Sequence, residues 1–252
     1  MKITILGSGT STGVPTVGCN CEVCRSTNPK NKRTRTSILI SENAKNILID
    51  TSTDLRYQTL ENNIDHIDAV LYTHSHADHI HGIDDMRSFN FIQNAPIPCF
   101  GNRDTVNNIK NIFKYIFHKD QNGCTTPQLE FNIINSQLSL FKTKITPIKI
   151  MHGIIPILGY KINNMAYITD CSYIPPQSEK KLQNLDLLIL DGLRYEPHPT
   201  HFNIYTAVEE AKKLNPARTL FTHLTHDLEY EKVNRELPEG MELAYDGMVV
   251  EI

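Results

Sequence analysis

The 252 residues contain no tryptophan, no low-complexity segment and no apolar run near the roughly 20 residues that a membrane helix needs. Twelve glycines and thirteen prolines are far too few for a collagen-like or disordered chain. Neither charge sign dominates. With 25 Lys and Arg against 28 Asp and Glu, the formal net charge of −3 argues against holding nucleic acid by bulk charge. The first strand, Lys2–Leu6, reaches Gly7-Ser8-Gly9 before any leader-type apolar core can form, so a cytoplasmic protein with no membrane partner is expected. A hydrophobic fraction of 40% in a chain this long can bury a full core, and residues 1–252 read as a single domain. What stands out is 11 histidines, a residue type that neither fills cores well nor decorates surfaces cheaply.

Short β-like runs alternate with a few helical ones. Lys2–Leu6, Thr36–Ile40, Asn46–Ile49 and Ala69–Tyr72 form a first group of strands, with a hairpin turn at Ser41–Lys45. Leu129–Ile134, Gln137–Phe141, Lys144–Ile150, Ile157–Ile162, Met165–Thr169, Leu185–Leu190, Arg218–Thr222 and Leu243–Val250 form a second. Apolar residues at helical spacing predict a helix over Asn102–Phe117. Asn203 caps another that ends at Leu214, and Asp54–Leu60 is a shorter third. Ile83–Ala95 reads as a long loop whose Arg87, Phe89 and Phe91 shape a pocket, although a surface ion pair suits Arg87 better than a phosphate. His118–Thr126 reads as a rim loop. Two packed sheets with helices outside is the simplest solution, an α/β sandwich.

The densest chemistry follows the strand Ala69–Tyr72. There His74, His76, Asp78 and His79 fall within six residues. Alternate side chains of an extended loop point to one side, and imidazoles with a carboxylate suit a borderline divalent ion. A loop of helix-capping histidines is the bland alternative, and so compact a set of ligand types argues against it.

His74-x-His76-x-Asp78-His79 resembles the HxHxDH signature of the metallo-β-lactamase superfamily. The resemblance implies an αββα sandwich with a mono- or dinuclear metal centre. It also implies further ligands at later strand ends, and His152 after Ile148–Met151, Asp170 after Ala166–Thr169 and His223 after Arg218–Thr222 match in order. One metal would take His74, His76 and His152, the other Asp78, His79 and His223, with Asp170 bridging. Water between two cations loses a proton near neutral pH and attacks the substrate. Asp78 therefore counts both as a ligand and as part of the catalytic apparatus. Asp50 resembles the family's early Asp, which supports the histidine loop from behind; an ordinary strand-to-turn Asp is the alternative.

Cys19, Cys21 and Cys24 form a CxCxxC insertion at residues 18–24. Three thiolates so spaced can converge on one tetrahedral zinc if a fourth ligand exists, and His226, three residues after His223, is placed for it. Three free thiols, or a disulfide with one spare, and an exposed loop histidine are the alternatives, a disulfide being disfavoured with no export signal. The insertion, the closing Thr222-His223-x-x-His226 and the opening Gly7–Pro15 loop resemble the phosphoribosyl cyclic phosphodiesterase branch of bacterial phosphonate degradation. That resemblance spans nearly the whole chain, and Cys19, Cys21, Cys24 and His226 carry over as a structural zinc site. His201, ahead of the helix at Asn203, carries over as the acid that protonates the leaving oxygen; imidazole titrates near neutral pH. His198 is its competitor in a Pro-flanked loop and is set aside.

The expectation is a dinuclear-metal phosphodiesterase for a small cyclic phosphate or nucleotide-type diester. Its cofactors are two divalent ions, Mn or Zn with Fe as a further candidate, and one structural Zn. A tRNA 3′-processing endonuclease is the runner-up, followed by a metal-binding or regulatory protein that has lost catalysis and then by a non-phosphate ester, thioester or lactam hydrolase. The expected partner is a small-molecule phosphodiester, with nucleic acid the weaker alternative. Base rates suggest a homodimer.

Overall fold

The computed structural model describes residues 1–117 and 125–252, so most of the rim loop expected at His118–Thr126 lies outside the described residues. Two seven-stranded sheets face each other. The first holds β1 (Lys2–Gly7), β2 (Ser37–Glu42), β3 (Lys45–Ile49), β4 (Ala69–Leu71), β5 (Ile97–Gly101), β6 (Leu129–Ile133) and the last strand, β14 (Val249–Glu251), which lies beside β1. The second holds β7 (Leu138–Leu140), β8 (Thr143–His152), β9 (Ile155–Ile162), β10 (Met165–Ile168), β11 (Leu187–Asp191), β12 (Thr219–Thr222) and β13 (Met241–Leu243). β3 to β6 are mutually parallel, as are β10 to β13. In each run the strand ends therefore open on one side, where loops can converge.

Ile3, Ile38, Ile49, Tyr160, Tyr167 and Ile189 pack between the sheets. The outer face of the first sheet is covered by α2 (Leu55–Glu61), α4 (Met86–Gln93) and α5 (Arg103–Ile112). That of the second is covered by α7 (Pro176–Glu179), α8 (Ile204–Leu214) and α9 (Tyr230–Glu236). Shorter turns, α1 (Glu22–Arg25), α3 (Ala77–Ile80) and α6 (Lys114–Phe117), complete the helices used below. With apolar contacts on both faces, the parallel strands read as near-continuous apolar runs, as in Leu187–Leu190.

Several elements differ from the sequence expectation, which held no helix at α7 or α9. Ile83–Ala95 is not a loop: α4 occupies most of it, burying Met86, Phe89 and Asn90 and ending at Asn94 in the left-handed region (φ 50°). Phe89 thus serves the core, Phe91 faces out, and Arg87 pairs with Asp84 at 2.6 Å. Leu243–Val250 is not one strand. The chain leaves the second sheet at β13, turns at Gly247 (φ 84°) and enters the first as β14. Asn102–Phe117 breaks at Phe113 into α5 and α6. β5 carried no strand signal, because Pro98 within it argues against an interior strand.

Candidate active site

The histidine loop leaves β4 and turns into α3. Asp50, just past β3, takes the left-handed conformation (φ 64°) and reaches across to it. Its Oδ1 accepts from the Thr73 amide at 2.8 Å, and its Oδ2 accepts from the Thr73 hydroxyl at 2.7 Å and faces His79 Nδ1 at 2.8 Å. An imidazole held at Nδ1 has its Nε2 aimed away. His152 at the end of β8 is held likewise, with Nδ1 donating to the Thr200 carbonyl at 2.9 Å. Asp170 and His223 follow β10 and β12, again with positive φ (54° and 61°). That conformation is costly for residues other than glycine, and at these strand ends it swings side chains into the gap between the sheets.

All seven expected residues meet there. His79 Nε2 lies 3.2 Å from Asp170 Oδ2 and 3.4 Å from Asp78 Oδ2, while His223 Nε2 lies 3.3 Å from Asp170 Oδ1 and 3.6 Å from Asp78 Oδ2. His74, His76 and His152 present nitrogens within 4.8 Å of one another, and so do the donor atoms of Asp78, His79 and His223. Asp170 joins the two groups through His74 and His79. All but His76 are buried.

Nε2 of His74, His79 and His223 is buried without a hydrogen-bond partner. An orphaned buried nitrogen costs about 1–3 kcal/mol, and three converging on two carboxylates fit a site for divalent cations. The electrostatics agree. Burial opposes charge on His79, but Asp170, Asp78 and Asp50 outweigh it and raise its pKa well above the ordinary value. Burial likewise opposes charge on His223, and Asp170 and Asp78 lift it to about 9. Burial and His79 push His74 well down. The cluster is thus an excess of acceptors and imidazoles short of positive charge.

His201 stands at its rim. Its ring lies 4.7 Å from that of His152 and stacks on that of His223 at 4.8 Å with an 11° tilt. Its Nδ1 faces Asp191 Oδ2 at 2.8 Å. Asp191 is buried at the end of β11; its Oδ2 also accepts from the Cys171 amide at 2.7 Å, and its Oδ1 is 4.0 Å from His223 Nδ1. Sequence reasoning missed Asp191. The signal was there, an Asp-Gly ending an apolar strand just as Asp50 and Asp170 end theirs.

A second cluster lies beyond His223. Sγ of Cys19, Cys21 and Cys24 sit 3.2, 3.3 and 3.5 Å from His226 Nδ1. The Cys24 amide donates to Cys21 Sγ, the leading reason that thiol is brought down to about 6, whereas burial pushes Cys24 up to about 11. Between the clusters Leu224 is tied to the opening loop: its amide donates to the Ser8 carbonyl and its carbonyl accepts from the Thr10 amide. Arg33, almost fully buried, donates to the carbonyls of Thr225 at 2.7 Å and Leu228 at 2.6 Å.

The family described as the β-lactamase superfamily domain matches residues 45–224, most of the chain and every residue of the His/Asp cluster. The chain belongs to the β-lactamase superfamily. Within the superfamily, the crystal structure of a diphosphatase from the PhnP family shares 43% identity, superposes with a TM-score of 0.94, and covers 100% of this chain and 97% of that one. Zn(2+)-bound PqqB from Methylobacterium extorquens superposes with a TM-score of 0.83 at 19% identity over the full length of both chains, a likeness of fold alone. An octanoyltransferase of Porphyromonas gingivalis is 39% identical over 253 residues, covering 98% of this chain and 51% of that protein. The chain spans about half the length of the curated relatives it matches. The superfamily's metallo-β-lactamase fold accounts for the two-sheet sandwich and for a metal-binding cluster at the parallel strand ends.

Proposed function

We propose that this chain is a two-metal hydrolase of small phosphodiesters. The observation that carries the reading is a buried cluster of seven His and Asp side chains with a carboxylate-held histidine at its rim. His74, His76 and His152 would hold one ion, Asp78, His79 and His223 the other, with Asp170 between them; Mn and Zn suit such a mixed set. When bound, the two cations supply an acidified water and neutralise charge on the phosphate. The protein does the rest. Asp50 orients His79, and the Thr200 carbonyl orients His152. Asp191 accepts from His201 Nδ1 and leaves Nε2 to deliver a proton to the departing oxygen. Cys19, Cys21, Cys24 and His226 would hold a structural zinc.

A phosphorus substrate is supported by the diphosphatase relative, aligned end to end with this chain. The octanoyltransferase activity belongs to a protein of which this chain matches only half, and it supplies no role for the His/Asp cluster. We also read the chain as one cytoplasmic domain that acts as a homodimer on small molecules rather than on tRNA.

The test is turnover of bis(p-nitrophenyl) phosphate and of cyclic ribose phosphates by metal-loaded protein. His201→Ala should cost about 10²–10⁴-fold with an alkoxide leaving group and far less with p-nitrophenolate, which departs without a proton. Equal losses on both would remove His201 from the acid role. Cleavage of a precursor tRNA in preference to small diesters would overturn the substrate class.

A further inference from the structure

His223 differs from the other buried histidines of the cluster. Nδ1 of His79 faces Asp50, Nδ1 of His152 donates to the Thr200 carbonyl, and Nδ1 of His74 lies 3.0 Å from the Thr73 hydroxyl. Neither nitrogen of His223 has a hydrogen-bond partner among the described residues, and Asp191 Oδ1 stands 4.0 Å from its Nδ1. No hydrogen bond fixes the ring, so its place is set by the main chain that carries it. That main chain is in the left-handed region (φ 61°), which persists only where the surroundings over-determine it.

The surroundings in question are the opening loop. The Leu224 amide donates to the Ser8 carbonyl at 2.9 Å, and the Thr10 amide donates to the Leu224 carbonyl at 3.1 Å. On the loop's other side the Gly9 amide donates to the Thr34 carbonyl at 2.8 Å. The approach there is close enough that a Cβ on Gly9 would meet the Arg33 carbonyl at 2.7 Å. The Thr36 hydroxyl donates to the Gly7 carbonyl at 3.3 Å and lies 2.9 Å from the hydroxyl of Thr222, the residue before His223. Asp246, in the turn between β13 and β14, joins the two sides. Its Oδ1 accepts from the amide and hydroxyl of Ser8 at 2.9 and 2.8 Å, and its Oδ2 from the amide and hydroxyl of Thr34 at 2.7 and 2.6 Å. Each oxygen thus holds one main-chain N–H, a donor that cannot be turned away. The turn itself is pinned to β1, because the Gly247 amide donates to the Ile5 carbonyl at 2.8 Å. Burial raises the pKa of Asp246 to about 6, so at pH 7.5 it is a carboxylate and both oxygens accept.

We infer that Asp246 is a positioning residue for His223, acting through the opening loop on the main chain that carries this ligand. Asp50 does the same for His79, but through the ring. None of the hydrogen bonds of Asp246 reaches either cluster. The inference rests on the reading of His223 as a ligand of one ion and His152 as a ligand of the other.

Asp246→Asn tests it, because whichever way the amide is turned its NH2 meets the main-chain N–H of Ser8 or of Thr34. Mn2+, which thiolates hold poorly, probes the His/Asp cluster, and the signal of the free ion counts what is bound. His223→Ala and His152→Ala identify the two binding steps. In Asp246→Asn the step lost in His223→Ala should weaken about 10–100-fold, as on loss of an outer partner, while the step lost in His152→Ala stays unchanged. Val106→Ala, which opens a cavity beneath α5, is the control for lost stability and should leave both steps unchanged. Both steps unchanged in Asp246→Asn, or both weakened alike, overturns the positioning role. Should Asp246→Asn fail to fold, Thr34→Val removes one donor and keeps the amide, and the same step should weaken about fivefold. Amide exchange in the metal-free protein is independent of ions. Leu224 should exchange at least tenfold faster in Asp246→Asn, with Leu188 in β11 unchanged. An unchanged Leu224 overturns the inference. If the wild type binds fewer than two Mn2+ while Leu224 responds as expected, the two-metal reading fails and the brace stands.

Discussion

Asp191 is buried, and its Oδ2 takes two donors: the ring of His201 and the Cys171 amide. Replacing it with Asn keeps the shape but removes the carboxylate that holds His201 Nδ1 and allows the ring to turn. Asp191→Asn should lower kcat about 10–100-fold, the usual cost of losing an outer-shell partner. The loss should fall on substrates with alkoxide leaving groups and spare p-nitrophenyl esters; an unchanged kcat would reduce Asp191 to a packing role. The cysteine cluster makes a second prediction from single residues. Cys21 is brought down to about 6 and is ionised at pH 7.5, whereas Cys24, pushed up to about 11, still holds its proton. Zinc uptake by the metal-free cluster at pH 7.5 should therefore expel a proton from Cys24, and affinity should rise with pH through that range. Calorimetry in buffers of different ionisation enthalpy reads the proton directly.

At the level of elements, the segment after β12 deserves a perturbation of its own. Within four residues it places His223 in one cluster and His226 in the other, and Arg33 grips the carbonyls on either side of His226. Arg33→Met should leave those carbonyls unpaired, lowering stability by about 2–4 kcal/mol and zinc retention with it. Urea unfolding and metal analysis check both. The same scale shows what the sequence made legible. Every proposed ligand of the His/Asp cluster lies at a strand end or in the turn that follows, where an apolar run stops at His or Asp, so local reading picked out the residues that the fold brings together there. Asp50 was also readable by position, although its partners Thr73 and His79 were not. What escaped depended on tertiary contacts. α4 was hidden because its buried face, Met86 and Phe89, is short and its other face includes exposed Phe91. β5 was hidden by Pro98, and the split between β13 and β14 by a turn that Ser8 and Thr34 fix from afar through Asp246. Nothing local places His198 beside His201, where the two rings lie 5.1 Å apart.

For the whole molecule, the decisive fact is that the cluster draws on both sheets. His74, His76, Asp78 and His79 come from the first, and His152, Asp170 and His223 from the second. Cations bound there would staple one half of the sandwich to the other. At a thousandfold excess over Kd such binding adds about 4 kcal/mol, which is on the order of 10 °C in Tm for a chain of this size. Chelation should lower Tm by that order. Asp170→Asn should shrink the difference, because it weakens the residue common to both groups of ligands. Metal analysis of the native protein should give three ions per chain, one of them zinc that survives mild chelation. Unchanged melting with and without chelator would mean that the sandwich holds without cations.

The near-parallel stack of His201 on His223 has a spectroscopic corollary. Each imidazole lies in the shielding cone of the other, so ring protons on both should resonate upfield of ordinary histidines in a diamagnetic zinc form. Any ligand that tilts His201 to receive its proton would cancel that mutual shielding. The pair is thus a built-in magnetic reporter, able to register occupancy of the cleft in solution without a label and without a turnover.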